Sequence, residues 1–235
     1  MRVVSLVPSV TETMRAWGID PIACTRYCEQ PDLATIGGTK NPEVAAIVEL
    51  GPDLVVLDKV ENRREDAEAL EAAGLDLHVT DVRTLGDVVP ELDALAARLG
   101  LDSQTRDWPS LASVPVAASC FVPIWRRPWM TIGADTFGST LLEALGFANV
   151  YAAAAVDYPE VELAEVRRRR PDVVLAPTEP YEFSAAHLEE LGVVAPVVVV
   201  DGQDLFWWGS RTPAAVERLA AALGPIAQGG FDKRG

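Results

Sequence analysis

Two histidines and three cysteines in 235 residues leave little material for a metal cluster or a histidine-centred catalytic site. His78 falls inside a predicted strand and His187 inside a predicted helix, so neither stands at a strand end. Cys24 and Cys28 straddle a strand end and Cys120 lies in another strand, a spacing that matches no metal motif. Cys24 and Cys120 read as small buried apolar residues, and Cys28, in a loop, as open to solvent. A Cys24–Cys28 disulfide is disfavoured in a reducing compartment. There is no Gly-rich phosphate loop of standard spacing and no Gly-x-Ser-x-Gly elbow. No apolar run approaches the roughly 20 residues that cross a bilayer, so membrane insertion is not expected. Met1-Arg2 passes directly into an apolar strand rather than an export signal, which points to a cytoplasmic location. Positive charge is scarce as well. Twenty Lys and Arg against 35 Asp and Glu give a formal charge of −15, which argues against a nucleic-acid partner. Arg167 to Arg170 end a predicted helix, where cations favour the dipole, and read as a solvated helix end.

What the chain does have is alternation. Strands are expected at Val3–Leu6, Ile22–Thr25, Asp53–Leu57 and Leu77–Thr80, with helices between them. Ser9 and Glu12 look like a capping box for the first helix, and Pro42 suits the first turn of a helix over 43–50. A final helix over 84–99 closes this half. The second half repeats the scheme with strands at Pro115–Val122, Asn149–Tyr151, Asp172–Ala176 and Val197–Val200. The halves also match in letters: Pro52-Asp-Leu-Val-Val-Leu57 answers Pro171-Asp-Val-Val-Leu-Ala176. The expected fold is therefore α/β, with two Rossmann-like lobes, each a parallel sheet flanked by helices. The lobes are expected at 1–100 and 115–224, joined by 101–114 and followed by a tail over 225–235.

Ligands of open parallel sheets bind beyond the carboxyl ends of the strands. That rule selects loops holding Tyr27, Glu29, Glu61, Asn62, Trp125, Arg126, Trp129, Tyr158, Glu179, Tyr181, Phe183, Trp207 and Trp208, with Arg63 directly after Asn62. Arg211 follows the last of these loops, and the turn at Lys40 and Asn41 offers further polar contacts. The segment Pro123-Ile-Trp-Arg-Arg-Pro-Trp-Met130 is too short for a helix and too irregular for a strand. Its tryptophans either cap the core beneath them or form one wall of an aromatic cleft between the lobes. Glu29, Glu61, Glu179 and Glu182 are the candidate acids or bases of an enzyme; they equally suit pairing with Arg63, Arg126 and Arg211. No catalytic residue and no metal ligand is singled out.

Several stretches resemble the class III periplasmic binding proteins, the helical-backbone metal receptor group, in its cobalamin-binding subgroup. They are Arg2-Val-Val-Ser-Leu-Val-Pro-Ser-Val-Thr-Glu12, Tyr27 to Pro31, Gly37-Gly-Thr-Lys-Asn-Pro-Glu43, Glu61-Asn-Arg63, Trp125-Arg-Arg-Pro-Trp-Met130 and Trp207-Trp-Gly-Ser-Arg211. The resemblance spans nearly the whole chain. It implies a substrate-binding protein of the kind that serves ABC transporters, clasping a corrinoid such as cobalamin, or another metal chelate, between two lobes without catalysing a reaction. Tyr27 would contact the corrin, with Tyr158 and Trp207 at further aromatic positions. Glu43 matches a glutamate that docks on a membrane permease; its counterpart falls at Ala164, beside Glu165, so that match is incomplete. The family's long bridging helix has only 101–114 available, with Pro109 inside it, and is expected to be shortened. The rival reading is a cytosolic enzyme built on the same fold.

Overall fold

The computed structural model describes residues 1–109 and 114–227. The chain divides into two compact units, one of Met1–Trp108 with Trp208–Arg211, the other of Pro109–Trp207 with Thr212–Gly235.

The first unit is built on β1 (Val3–Ser5), α1 (Pro8–Ala16), β2 (Ala23–Cys24), β3 (Ala34–Thr35), β4 (Gly37–Gly38), β5 (Asn41–Pro42), α2 (Val44–Leu50), β6 (Leu54–Asp58), α3 (Arg64–Ala72), β7 (Leu77–Thr80) and α4 (Val88–Arg98). Five strands form a parallel sheet in the order β3-β2-β1-β6-β7. All five residues of β6 are buried, as expected of a continuous apolar run covered on both faces. Around it Val4, Leu6, Ile36, Ile47, Val55, Leu57 and Leu70 make one core cluster.

The second unit comprises β8 (Ala118–Phe121), β9 (Pro123–Trp125), β10 (Trp129–Thr131), α5 (Phe137–Ala144), β11 (Phe147–Asn149), β12 (Glu160–Val161), α6 (Leu163–Arg169), β13 (Val173–Pro177), α7 (Ala185–Gly192), β14 (Val197–Val200), α8 (Gly202–Phe206) and α9 (Thr212–Ala227). Its parallel sheet runs β11-β8-β13-β14, the same order as β2-β1-β6-β7. The repeated Pro-Asp letters have a structural cause. The Asp53 carboxylate accepts from the backbone of Arg2 at 2.6 Å, and the Asp53 backbone N–H donates back to the Arg2 carbonyl at 2.8 Å. Asp172 makes the same reciprocal clamp on Ser119, at 2.8 and 2.9 Å. Each clamp sets the register of a central strand against its neighbour.

Several local expectations are corrected. Ser9 does not cap α1: the helix begins at Pro8 with Val7 as its uncapped N-cap, because proline is already set for the first helical position. That releases Glu12 from any capping box. Pro42 lies in the β4–β5 hairpin rather than in α2. The Pro123 to Met130 segment is a β-hairpin, not an irregular loop. Pro123 opens β9 and Pro128 sits in the turn, the two places where a missing N–H does not interrupt a ladder. Val161 pairs in β12, so α6 starts later than expected. α9 continues to Ala227 with Pro225 inside it, past the expected start of the tail at 225; residues 228–235 lie outside the described residues. α4 stops at Arg98 and no helix follows over 101–109. Residues 110–113, the rest of the expected link, are outside the described residues. Among the described residues, no helix is long and apolar enough to cross a membrane.

Candidate functional site

At the carboxyl end of the second unit's sheet, the β9–β10 hairpin sets aromatic rings against the loop between β13 and α7. Trp129 stacks on Phe183 with centroids 5.9 Å apart and planes inclined by 14°. Tyr181 tilts against Phe183 at 4.9 Å, and Trp125 meets Tyr181 edge-on at 5.1 Å. His187, at the start of α7, borders Tyr181 and Phe183, and its Nδ1 accepts from the Ser184 backbone at 3.2 Å. The core-capping reading holds for one of the two tryptophans. Trp129 and Phe183 pack on the core cluster around Phe121 and Val174, whereas Trp125 is 45 % exposed and caps nothing. Arg126 lies over the Trp129 ring at 5.5 Å and donates through Nε and Nη2 to one Glu190 oxygen, at 3.0 and 2.7 Å. The result is a rigid shelf of four rings with one open edge.

Beside the shelf is a cavity of about 280 Å³, lined by Ala176, Pro177, Thr178, Glu182, Phe183, Leu188 and Val199. Gly202 closes the loops around it: a Cβ there would sit 2.5 Å from the Glu179 backbone. The Gly202 N–H also donates to Thr178 Oγ1 at 2.9 Å. Glu179 is half-buried in this packing, Tyr158 is exposed in the loop before β12, and Trp207 is half-buried after α8.

In the first unit Tyr27 is 52 % exposed at the end of β2, with the Arg26 guanidinium 5.1 Å from its ring centroid. Arg26 also reaches Asn41 Oδ1 at 3.5 Å. Gly38 makes this possible, since a Cβ would lie 2.7 Å from Asn41 and 3.1 Å from Tyr27. Lys40 Nζ donates to the Val60 carbonyl at 2.6 Å. Asn62 is buried and ties three loops together, accepting from Asp58 N and donating to the carbonyls of Leu6 and Thr39. Glu61 is half-buried, Glu29 is exposed, and Arg63 pairs with Asp66. Trp208 is only 4 % exposed and serves the interior. Arg211 pairs with Glu12 through two bonds of 2.7 and 3.0 Å.

No family model matches the chain. The vitamin B12-binding protein of Pectobacterium carotovorum is 23 % identical over 252 residues, covering 97 % of this chain and 90 % of that one. Among solved structures, the periplasmic heme-binding protein RhuT of Roseiflexus sp. RS-1 superposes with a TM-score of 0.79 at 22 % identity, over 97 % of this chain and 99 % of that one. The periplasmic vitamin B12-binding protein BtuF of Vibrio cholerae does so with a TM-score of 0.76 at 21 % identity, over 97 % of each. The fold is that of the class III periplasmic binding proteins. At these identities the likeness defines architecture, and the ligand is a separate question.

Within this periplasmic-binding-protein fold, the strand-end polar groups are mostly committed to the framework. Arg63 pairs with Asp66, Arg126 with Glu190, and Arg211 with Glu12 among its contacts. Of the two glutamates weighed for permease docking, Glu43 is exposed before α2, while Glu165, beside Ala164, pairs with Arg169. Cys28 is buried, not open: its Sγ lies 3.2 Å from Thr11 Oγ1 and 3.3 Å from Thr25 Oγ1. A hydrogen bond from Cys24, seconded by those hydroxyls, holds its thiol below the ordinary value against the opposing effect of burial, and the same bond pushes Cys24 up. Burial raises the Asp58 carboxyl although Thr80 and backbone N–H groups bond to it. Among the described residues no three His, Cys, Asp or Glu side chains converge as a metal site. Arg26 was missed in sequence; its only signal was adjacency to Tyr27.

Proposed function

We propose that the chain is a non-catalytic receptor for a flat macrocycle, a corrinoid of the cobalamin type or a related metal chelate. The observation that carries this reading is the open edge of the shelf, where Trp125 stands exposed against Tyr181 and is backed by Phe183 and Trp129. Stacked, rigid aromatics offer a large flat contact at little entropic cost. The neighbouring cavity of about 280 Å³ falls below the usual volume of a whole ligand pocket, but suits one substituent of a ring lying on the shelf. Tyr27, Tyr158 and Trp207 supply further ring contacts. Lys40, Asn41, Glu29, Glu61, Arg63 and Glu179 meet the ligand's polar edge. Arg126, already paired with Glu190, stiffens the shelf, and Arg211, paired with Glu12, stiffens its own unit. Similarity to proteins named for vitamin B12 and heme binding supports the same ligand class.

Titration with cyanocobalamin, and separately with hemin, followed by tryptophan fluorescence and calorimetry, tests the proposal. One of the two should quench the fluorescence with an affinity of about 10 μM or better. Trp125→Ala should weaken that binding roughly tenfold while leaving the melting temperature within about 1 °C of wild type, because the ring is half open to water. Absence of heat and quenching for both ligands up to about 100 μM would overturn the reading.

A further inference from the structure

On another face of the second unit, α6 and the end of α7 enclose a groove of about 710 Å³ lined by Leu163, Ala164, Arg167, Arg168, Arg170, Glu190, Val193 and Val194. Its apolar side is Leu163, Ala164, Val193 and Val194, and Val193 is 64 % exposed. The α6 arginines divide into two kinds. Arg169 is committed to Glu165, to the Val150 carbonyl and to the face of Tyr151 at 4.2 Å. Arg167, Arg168 and Arg170 are exposed, and among the described residues their side chains make no hydrogen bond or ion pair. The one carboxylate in the groove, Glu190, is held by Arg126. Three cations without a bonded partner among the described residues therefore border an apolar floor.

Helix termination does not require them. α2, the counterpart of α6 in the internal repeat, has no basic residue in its last turn and closes on Gly51 at φ 55° and ψ 57°. α6 closes on Arg170 in the same left-handed conformation, φ 52° and ψ 60°, where glycine is the unstrained choice. In a chain of net charge −15, this cluster runs against the overall balance.

We propose that this groove docks an acidic segment of a partner protein, two or more carboxylates flanking a bulky apolar side chain. Guanidinium groups pair with carboxylates in fork geometry, and the floor takes the apolar side chain. Long polyanions suit the groove less well. Nucleic acid or an anionic bilayer brings charge against the whole acidic surface, whereas a short peptide meets only the field within about 8–10 Å of the arginines.

The test uses a fluorescein-labelled octapeptide of alternating glutamate and leucine, with a lysine–leucine counterpart as control, read by anisotropy against the full chain. The acidic peptide should bind below about 1 mM, the lysine peptide should not, and salt should weaken the binding. Joint Arg167→Glu and Arg168→Glu substitution should reduce affinity at least about tenfold. Arg170→Gly should weaken binding about threefold while raising the melting temperature, which a merely structural role for Arg170 would not do. Each of four results would overturn the proposal: no peptide binding; equal binding by the doubly substituted chain; anionic phosphatidylserine vesicles captured through Arg167 and Arg168 and not displaced by peptide; or a dimer in solution that the same substitutions dissociate, which would make a second copy the occupant.

Discussion

Asp58 is 1 % exposed, and its carboxylate organises the loop that carries Glu61, Asn62 and Arg63. Oδ1 accepts from the N–H groups of Val60 and Glu61 at 2.8 and 3.1 Å, and Oδ2 accepts from Thr80 Oγ1 at 2.8 Å, with the Val82 backbone also contributing. All the groups facing it are donors, so Asp58→Asn places its own N–H₂ against at least one of them. Orienting the amide to keep the Val60 and Glu61 bonds lets Thr80 turn and donate only to the Leu57 carbonyl, 3.1 Å away. The Val82 N–H then loses its acceptor. One orphaned donor costs about 1–2 kcal/mol, whereas Asp58→Ala orphans the whole set at about 3–4 kcal/mol. For a chain of this size those losses lower the melting temperature by roughly 3–6 °C and 8–12 °C in calorimetry. The pH dependence supplies the decisive check. Burial raises the folded-state carboxyl above its unfolded value, so the native state binds the proton more tightly than the unfolded chain does. Wild type therefore loses stability as pH rises from about 4 through the raised value, and the Asn variant lacks that slope. Its deficit should narrow on going from acid to neutral pH. A deficit that widens would mean that the hydrogen bonds outweigh desolvation, and the reasoning would be wrong.

Two further outcomes follow from close contacts in the first unit. Gly209 has φ 135°, and a Cβ there would fall on Thr13 Oγ1, so Gly209→Ala should destabilise the fold by about 2–4 kcal/mol in urea unfolding; a loss under about 0.5 kcal/mol would contradict this packing. Thiolate absorbance at about 240 nm should show Cys28 ionising below the ordinary thiol range, and Thr11→Val should move that step upward; an unmoved step would exclude the hydroxyl as a stabilising donor.

Elements with a long or repeated pattern were legible in the sequence. Leu77–Thr80 and Val197–Val200 form strands over their expected spans, because β-branched runs bounded by turn residues admit little else. The matching Pro-Asp strands occupy equivalent sheet positions, and the clamp made by Asp53 and Asp172 explains why those letters recur. The two hairpins were not legible, since strands of two or three residues are too short to display a period. Ion-pair partners were hidden for another reason. Arg126 and Glu190 are 64 positions apart, and Arg211 and Glu12 are 199 apart, distances at which only the folded chain selects among many carboxylates. The same holds for Cys28, whose loop is drawn inward by two threonines from separate segments.

The small segment Trp208–Arg211 makes the first unit discontinuous in the order of synthesis. Its Ser210 N–H and Arg211 side chain fasten to Thr13 and Glu12 on α1. Trp208 becomes available only 100 residues after the unit's main stretch ends at Trp108 (208 − 108). At ribosomal speeds this is a wait of roughly 5–20 s, far longer than secondary structure takes to form. During that interval the emerging sheet stands with α1 unfastened, and every element of the second unit except α9 has been made before the first is complete.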